Sequence, residues 1–160
     1  MQVSLNLPES SPIVKYPNFV GVKGDATNLE YFSDHQFDVV FSNSVIEHVG
    51  NYDQQKQMAQ EVQRVGQRYF VQTPNYWFPI EPHFLFPGFQ WLPIPVRAFF
   101  VNHFNLGWSR KIHNIHKAQA YVKQIRLLRR RELLALFPSA KLYEEKVLGL
   151  TKSFVAYDGW

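Results

Sequence analysis

The sequence predicts an α/β fold built on a mostly parallel sheet, and three observations predict it. Phe37-Asp38-Val39-Val40-Phe41 is a short, mostly apolar run rich in β-formers, the pattern of a strand covered on both faces. Met58, Val62 and Val65 fall at i, i+4 and i+7, which is one face of a helix. Arg68 to Thr73 (RYFVQT) is a second β-rich run. Strand, helix and strand of these lengths make a βαβ unit, whose crossover is almost always right-handed.

The other elements follow in order. Gln2 to Leu7 recurs in apolar residues at Val3, Leu5 and Leu7 and reads as a short strand, broken by Pro8 and Pro12. Phe19 to Val22 is the next strand, ending in Lys23-Gly24-Asp25-Ala26. Thr27 to Phe32 has room for no more than a helical turn. After the strand Phe37–Phe41, Asn51 offers an N-cap with Gln54 as its capping-box partner, and Gly66 ends the helix. Pro74-Asn75 closes the strand that follows. Residues 76–117 hold half of the prolines and a dense run of aromatics without a clean period, and a loop this long inside a compact domain is usually a lid or binding cap. Ala118 to Gln124 and Arg129 to Phe137 read as helices, the second with Leu133, Leu136 and Phe137 inward and Pro138 as its stop. Lys141 to Leu148 and Lys152 to Tyr157 are the last strands, joined tightly at Gly149-Leu150 as an antiparallel hairpin.

A chain of 160 residues makes one domain, 1–160, with residues 76–117 as a cap insertion. The 46% hydrophobic and 19% charged fractions are those of a globular protein. Cysteine is absent, which excludes disulfides, thiol nucleophiles and cysteine-bound zinc and agrees with a cytoplasmic location. No run reaches the roughly 18 apolar residues of a membrane span.

Charge is unevenly placed. Residues 1–80 carry five Lys/Arg against eight Asp/Glu, whereas residues 81–160 carry twelve against five. Between Arg110 and Arg131 there are eight basic residues and no acid. Such a stretch suits phosphate, anionic lipid or an acidic partner, or is simply a solvated face. No nucleic-acid-binding motif accompanies Arg126–Arg131, so nucleic acid is not an expected partner.

The strand Phe37–Phe41 stops at Ser42-Asn43-Ser44, and Glu47-His48 follows at once. In open parallel sheets ligands collect beyond the carboxyl ends of the strands, so these residues stand at the expected edge. Gly24-Asp25-Ala26-Thr27-Asn28-Leu29, FDVVFSNSVIEHV, Glu61-Val62-Gln63-Arg64-Val65 and Val71-Gln72-Thr73-Pro74-Asn75, in that order and spacing, resemble the class I S-adenosylmethionine-dependent methyltransferases. The small-molecule branch with Glu-His after its fourth strand is the closest match, and Glu132-Leu133…Leu136-Phe137-Pro138 with the closing hairpin fits its last two strands.

That resemblance implies a Rossmann-like methyltransferase sheet, S-adenosyl-L-methionine as cofactor and a small-molecule acceptor. Asp25 would accept a hydrogen bond from the adenine amino group, and Ala26 would offer its backbone N–H to the adjacent ring nitrogen. Ser42 and Asn43 would pass the methionine part, with His48 close by. Asn6 falls where the family carries an acid gripping the ribose hydroxyls, and an amide lacks the charge-assisted acceptance of a carboxylate. The family's first strand and Gly-rich turn should precede Gln2–Leu7, yet no G-x-G pattern occurs in the 160 residues, so the fold is N-terminally incomplete by that measure. The central position of that strand must then be filled by Gln2–Leu7, by another subunit or by further chain.

The insert carries Glu81-Pro82-His83, and similar Glu-Pro-His segments follow the fifth strand in the resembling enzymes. Methyl transfer from a sulfonium depends mainly on alignment in a dry pocket, with a base needed only where the acceptor loses a proton. His48 and His83 are the candidate catalytic groups, with Glu81 as the orienting carboxylate; hydrogen bonds that merely pin the lid are the alternative. Trp77, Phe84, Phe86, Phe89, Trp91, Phe99, Phe100 and Phe104 suit three roles: a wall for an apolar or aromatic acceptor, a membrane-facing surface together with the basic stretch, or ordinary core. His113 and His116 read as surface residues, and no metal site is expected. The sequence therefore points to methyl transfer onto a small, apolar or aromatic acceptor. The alternative is a non-catalytic module whose 76–131 surface binds a partner or membrane, and homo-oligomer formation stays open.

Overall fold

A computed structural model describes residues 2–6 and 19–160. Its centre is a four-stranded sheet in the order β3 (Val40–Asn43), β4 (Tyr69–Pro74), β8 (Leu150–Asp158), β7 (Lys141–Val147). β3 and β4 are parallel, while β8 opposes both β4 and β7. Three strands thus run one way and β8 alone runs against them, a mostly parallel sheet closed by an antiparallel hairpin. β1 (Gln2–Asn6) and β2 (Phe19–Lys23) form a separate parallel pair. Gln2–Asn6 therefore does not fill the place beside β3, and among the described residues that edge of β3 has no strand partner. The Pro8–Pro12 break lies outside the described residues.

The open edge explains a correction. The strand Phe37–Phe41 was expected to be covered on both faces, but ordered pairing begins at Val40, and Val39 and Phe41 are 45% and 68% exposed. Phe37 still bridges to Gly66, its N–H reaching Val65 O at 3.0 Å. A strand with one neighbour lacks the second row of contacts that would hide its apolar side chains, and Phe41 shelters only by stacking on Phe70 at 5.3 Å.

Helix α1 (Tyr52–Val65) begins as its sequence requires. Asn51 Oδ1 accepts from the Gln54 N–H and Gln54 Oε1 accepts from the Asn51 N–H, a reciprocal cap. Met58, Ala59 and Val62 bury one face against Val71, Leu133, Phe137 and Phe154. Pro74 is tolerated in β4 because β3 ends at Asn43, opposite Gln72, so the missing N–H falls beyond that partner. Helix α4 (Arg130–Leu136) supplies Leu133 and Leu136, and Phe137 caps it in the same core.

The cap has its own core. β5 (Ile80–Glu81) and β6 (Phe86–Pro87) form a small hairpin, followed by α2 (Ile94–His103) and α3 (Ile115–Gln124). Phe84, Phe89, Ala98, Val101, Ala118 and Val122 pack together, so this second cluster runs past Lys117 to Ile125 rather than ending with the aromatic segment. The helix expected from Ala118 starts three residues earlier because Asn114 caps it, accepting from the Lys117 N–H. Among the described residues no helix is long and apolar enough to cross a membrane.

The final turn also differs from expectation. It is Leu148-Gly149, not Gly149-Leu150, and both residues have positive φ, 50° and 81°. A two-residue loop with positive φ at both positions matches the twist of a hairpin but suits Asn-Gly, since a leucine strains there. Leu148 is 99% exposed and loses no packing if replaced. Leu148→Asn is expected to stabilise the chain by about 0.5–1 kcal/mol, read as a higher denaturation midpoint with an unchanged m-value.

Candidate active site

β3 and β4 are parallel and end on the same edge, where the chain leaves each strand in a constrained path. After Asn43 the backbone enters the left-handed region at Ser44 (φ 53°). Ser44 is held there because its N–H reaches Gln72 O and its hydroxyl donates to Gln72 Oε1 at 2.9 Å. A 3₁₀ turn over Ile46–His48 follows, burying Ile46 and Glu47 and leaving His48 exposed. Fully buried Gln55 clamps that turn: its Nε2 donates to Ile46 O at 3.0 Å and Arg126 O at 2.8 Å, and its Oε1 accepts from Arg126.

Beyond β4 the cap returns Glu81 and His83 to the same edge. Glu81 is 2% exposed, and its carboxylate is saturated by neighbours. Oε2 accepts the N–H groups of His83 at 2.7 Å and Phe84 at 2.8 Å, while Oε1 accepts from His83 Nδ1 at 2.6 Å. His83 Nε2 then lies 3.0 Å from His48 Nε2, one ring donating to the other. Glu47 lies beneath this pair. Thr73 Oγ1 donates to its Oε2 at 3.0 Å, and its Oε1 has no hydrogen-bond partner among the described residues.

These surroundings pull the titrations apart. His48 is lowered, first by the partial desolvation of its ring where it meets His83, although the residue as a whole is exposed, and then by the neighbouring His83 charge. Burial also acts downward on His83, but the hydrogen bond and charge of Glu81 overcome it and raise His83 overall. Glu47 is raised, chiefly because burial penalises its charged form. The two imidazoles are therefore pushed in opposite directions, His48 toward its neutral form and His83 toward its protonated one.

The structure brings His48, His83 and Glu81 together. The residues expected to grip a cofactor lie at three strand ends. Asn6 closes β1 opposite Lys23. Asp25 is exposed just past β2, its Oδ1 accepting from the Thr27 N–H and hydroxyl at 2.9 and 2.8 Å, an Asx-type turn. Ala26 packs against the main core, and the loop is tied to α1 where the Leu29 N–H donates to Glu61 at 2.7 Å. Ser42 is buried with its hydroxyl unpartnered among the described residues, while Asn43 is exposed. The unpartnered Ser42 hydroxyl at the end of β3 and the second, unengaged oxygen of exposed Asp25 past β2 have the polar character that an adenosyl ligand needs.

A cavity of about 190 Å³ adjoins Glu81 and is lined by Tyr76, Phe84, Phe89, Arg97 and Arg129 among others. Arg97 Nε has no partner among the described residues, and burial lowers this guanidinium. Arg129 lies over Tyr76 at 4.8 Å and Trp77 at 5.6 Å. Of the aromatic wall, Phe84 and Phe89 are buried in the cap, whereas Trp77, Trp91, Phe99 and Phe104 are about half exposed. Phe86 and Phe100 pack partly buried against the cap core. His113 and His116 are exposed. Sequence reasoning placed Glu47 at the strand-end edge without giving it a role, and it missed Thr73, Gln55 and Arg97, which carried no usable signal.

The Glu81–His83 pair makes stability depend on pH. The folded chain holds the His83 proton more tightly than the unfolded one, so this contribution is present below the ordinary histidine value of 6.5 and is lost as pH rises through the folded value. The lowered His48 acts with the opposite sign, so the comparison is made by difference. The stability gap between the chain and His83→Gln, read by urea denaturation, is expected to be largest in mildly acidic buffer and to narrow with rising pH.

Comparison with known proteins finds one family model that matches part of the chain. Residues 6–68 match the family model described as "Methyltransferase domain". Two curated relatives from Mycobacterium tuberculosis strains, each named "Uncharacterized protein", are 40% identical over 60 residues, covering 38% of this chain and 20% of theirs. The chain thus spans about a fifth of those relatives. Among solved structures, a SAM-dependent methyltransferase from Methanosarcina mazei is 13% identical with a TM-score of 0.47, covering 88% of this chain and 66% of that one. The methyltransferase domain of a bacterial CtHen1 is 12% identical with a TM-score of 0.45, covering 87% and 60%.

Proposed function

We propose, from the match of residues 6–68 to the family model described as "Methyltransferase domain", that the chain takes part in methyl transfer from S-adenosyl-L-methionine to a small acceptor. The observation that carries this reading is the meeting of His48, His83 and Glu81 at the shared end of β3 and β4. The sulfonium donor supplies an electrophilic methyl group. Asp25 and Ala26 after β2, Ser42 and Asn43 at the end of β3, and Asn6 at the end of β1 are the residues that would hold it. The acceptor's proton passes to the imidazole pair, and Glu81 fixes the ring of His83 for that task.

The cavity beside Glu81 favours an acceptor with an aromatic or apolar body and an anionic substituent. Tyr76, Phe84 and Phe89 offer ring faces, while Arg97 and Arg129 bring guanidinium groups that are not committed to carboxylates among the described residues. Calorimetry of the folded chain with S-adenosylhomocysteine tests the reading. Binding should be saturable and weakened about tenfold by Asp25→Ala, the loss of roughly one charge-assisted hydrogen bond. No heat of binding at millimolar ligand would overturn it.

A second reading rests on the outer surface of the cap, where Phe99, Phe104 and Trp108 are 50%, 51% and 82% exposed near exposed Arg110 and Lys111. Apolar rings beside basic side chains suit an anionic membrane surface. That reading requires sedimentation with anionic vesicles at low salt, release by added salt, and no sedimentation with neutral vesicles.

A further inference from the structure

The strand ends assemble a donor set that methyl transfer alone does not account for. One carboxylate oxygen of Glu47 and one ring nitrogen each of His48 and His83 lie within 4.8 Å of one another. The two Nε2 atoms are 3.0 Å apart. Two nitrogens at that spacing, each ~2.1 Å from a shared ion, subtend roughly a right angle at it, the angle of neighbouring ligands in a five- or six-coordinate site.

The supporting contacts fit the same arrangement. His83 gives its Nδ1–H to Glu81, which leaves the Nε2 lone pair for the cluster. A carboxylate on the far nitrogen is the usual outer support of a metal-bound imidazole, fixing both tautomer and ring plane. Glu47 is wholly buried, yet only one of its oxygens is satisfied, by Thr73; the other has no partner among the described residues. Buried acceptors are paired in nearly all native structures, so an orphaned carboxylate oxygen beside two imidazoles points to a cation.

We propose that Glu47, His48 and His83 bind one divalent transition-metal ion, with Glu81 orienting His83. Two imidazoles and one carboxylate favour borderline ions such as zinc, cobalt or nickel over magnesium and calcium. His48 faces solvent, so the remaining coordination positions open outward and admit an acceptor oxygen. This role, unlike the binding itself, rests on the methyl-transfer reading. In the metal-bound chain the imidazoles hold the ion instead of the proton. The acceptor hydroxyl would bind through oxygen and lose its proton to solvent, and the O–CH₃ bond would form as the S–CH₃ bond of the sulfonium breaks, its electron pair staying on the sulfur of the departing neutral thioether, S-adenosylhomocysteine.

The test strips the chain with a chelator and titrates it with Co²⁺, followed by visible absorbance, and with Zn²⁺, followed by calorimetry. One ion per chain is expected. His48→Gln, at an exposed position and checked for folding by circular dichroism, should weaken binding at least tenfold, and Glu81→Gln by about tenfold. The surface variant His113→Gln/His116→Gln should bind normally. No saturable binding, or binding unchanged in His48→Gln, overturns the proposal and leaves the imidazoles as a hydrogen-bonded pair only. S-adenosylhomocysteine calorimetry on the same samples separates the two readings. S-adenosylhomocysteine binding without Co²⁺ binding removes the metal site alone, and Co²⁺ binding without S-adenosylhomocysteine binding supports the metal site while removing methyl transfer.

Discussion

The carboxylate of Glu81 is the contact on which the site depends. A buried acid is tolerated only when hydrogen bonds replace the water it has lost, and Glu81 receives three, all from His83 and Phe84. The same bonds turn the cap back toward the sheet and set the plane of His83. Structure and chemistry thus share one group: the lid could be pinned by any acceptor, but only an acceptor at this place also presents a ring nitrogen to His48. The bonds that pin the lid are the same ones that fix the ring of His83.

Glu47 shows the contrast. Its burial comes from the 3₁₀ turn after β3, which is held from below by Gln55 and from above by the Arg126 N–H on Glu47 O at 2.8 Å. The turn cannot swing out to solvate the side chain without breaking both contacts. A residue so fixed, with one oxygen unsatisfied, raises the free energy of the chain unless the acid is protonated or a cation is near. Its upward-shifted titration, caused chiefly by burial, leans toward the first outcome, and the neighbouring imidazoles offer the second.

Much of the frame was legible because local signals agreed with tertiary demands. Asn51 and Gln54 marked the start of α1, Met58 and Val62 its buried face, and Leu133 with Phe137 the packing of α4. The site was legible as far as residues that adjoin in sequence: Ser42-Asn43, Glu47-His48 and Glu81-Pro82-His83 each announced a strand end or cap. What failed was whatever depended on neighbours the sequence does not adjoin. Phe41 looked buried by composition, but it is exposed on a strand that has only β4 as a partner among the described residues. The full burial of Gln55 and the pairing of Arg126 with Glu132 arise from elements some seventy residues apart in the case of Gln55 and Arg126, and a polar helix residue gives no hint of such a partner. Leu148 in the left-handed region was hidden for a different reason, since leucine normally argues against that conformation.

Two cores in one chain also shape how the site can move. The sheet core and the cap core are separate clusters, joined near the site by a few polar contacts. Arg126 ties the cap's last helix to Gln55 and Glu132, and Gln90 donates to Tyr76 O and Phe78 O to brace the ascending chain. Each core keeps its own packing if the other shifts slightly, whereas the distance between His48 and His83 spans the boundary. A small displacement of the cap would thus change the imidazole contact before it disturbed either core. The polar ties at Gln55 and Arg126 are placed to resist that displacement, which makes them positioning residues for the cluster even though neither touches it through a side chain.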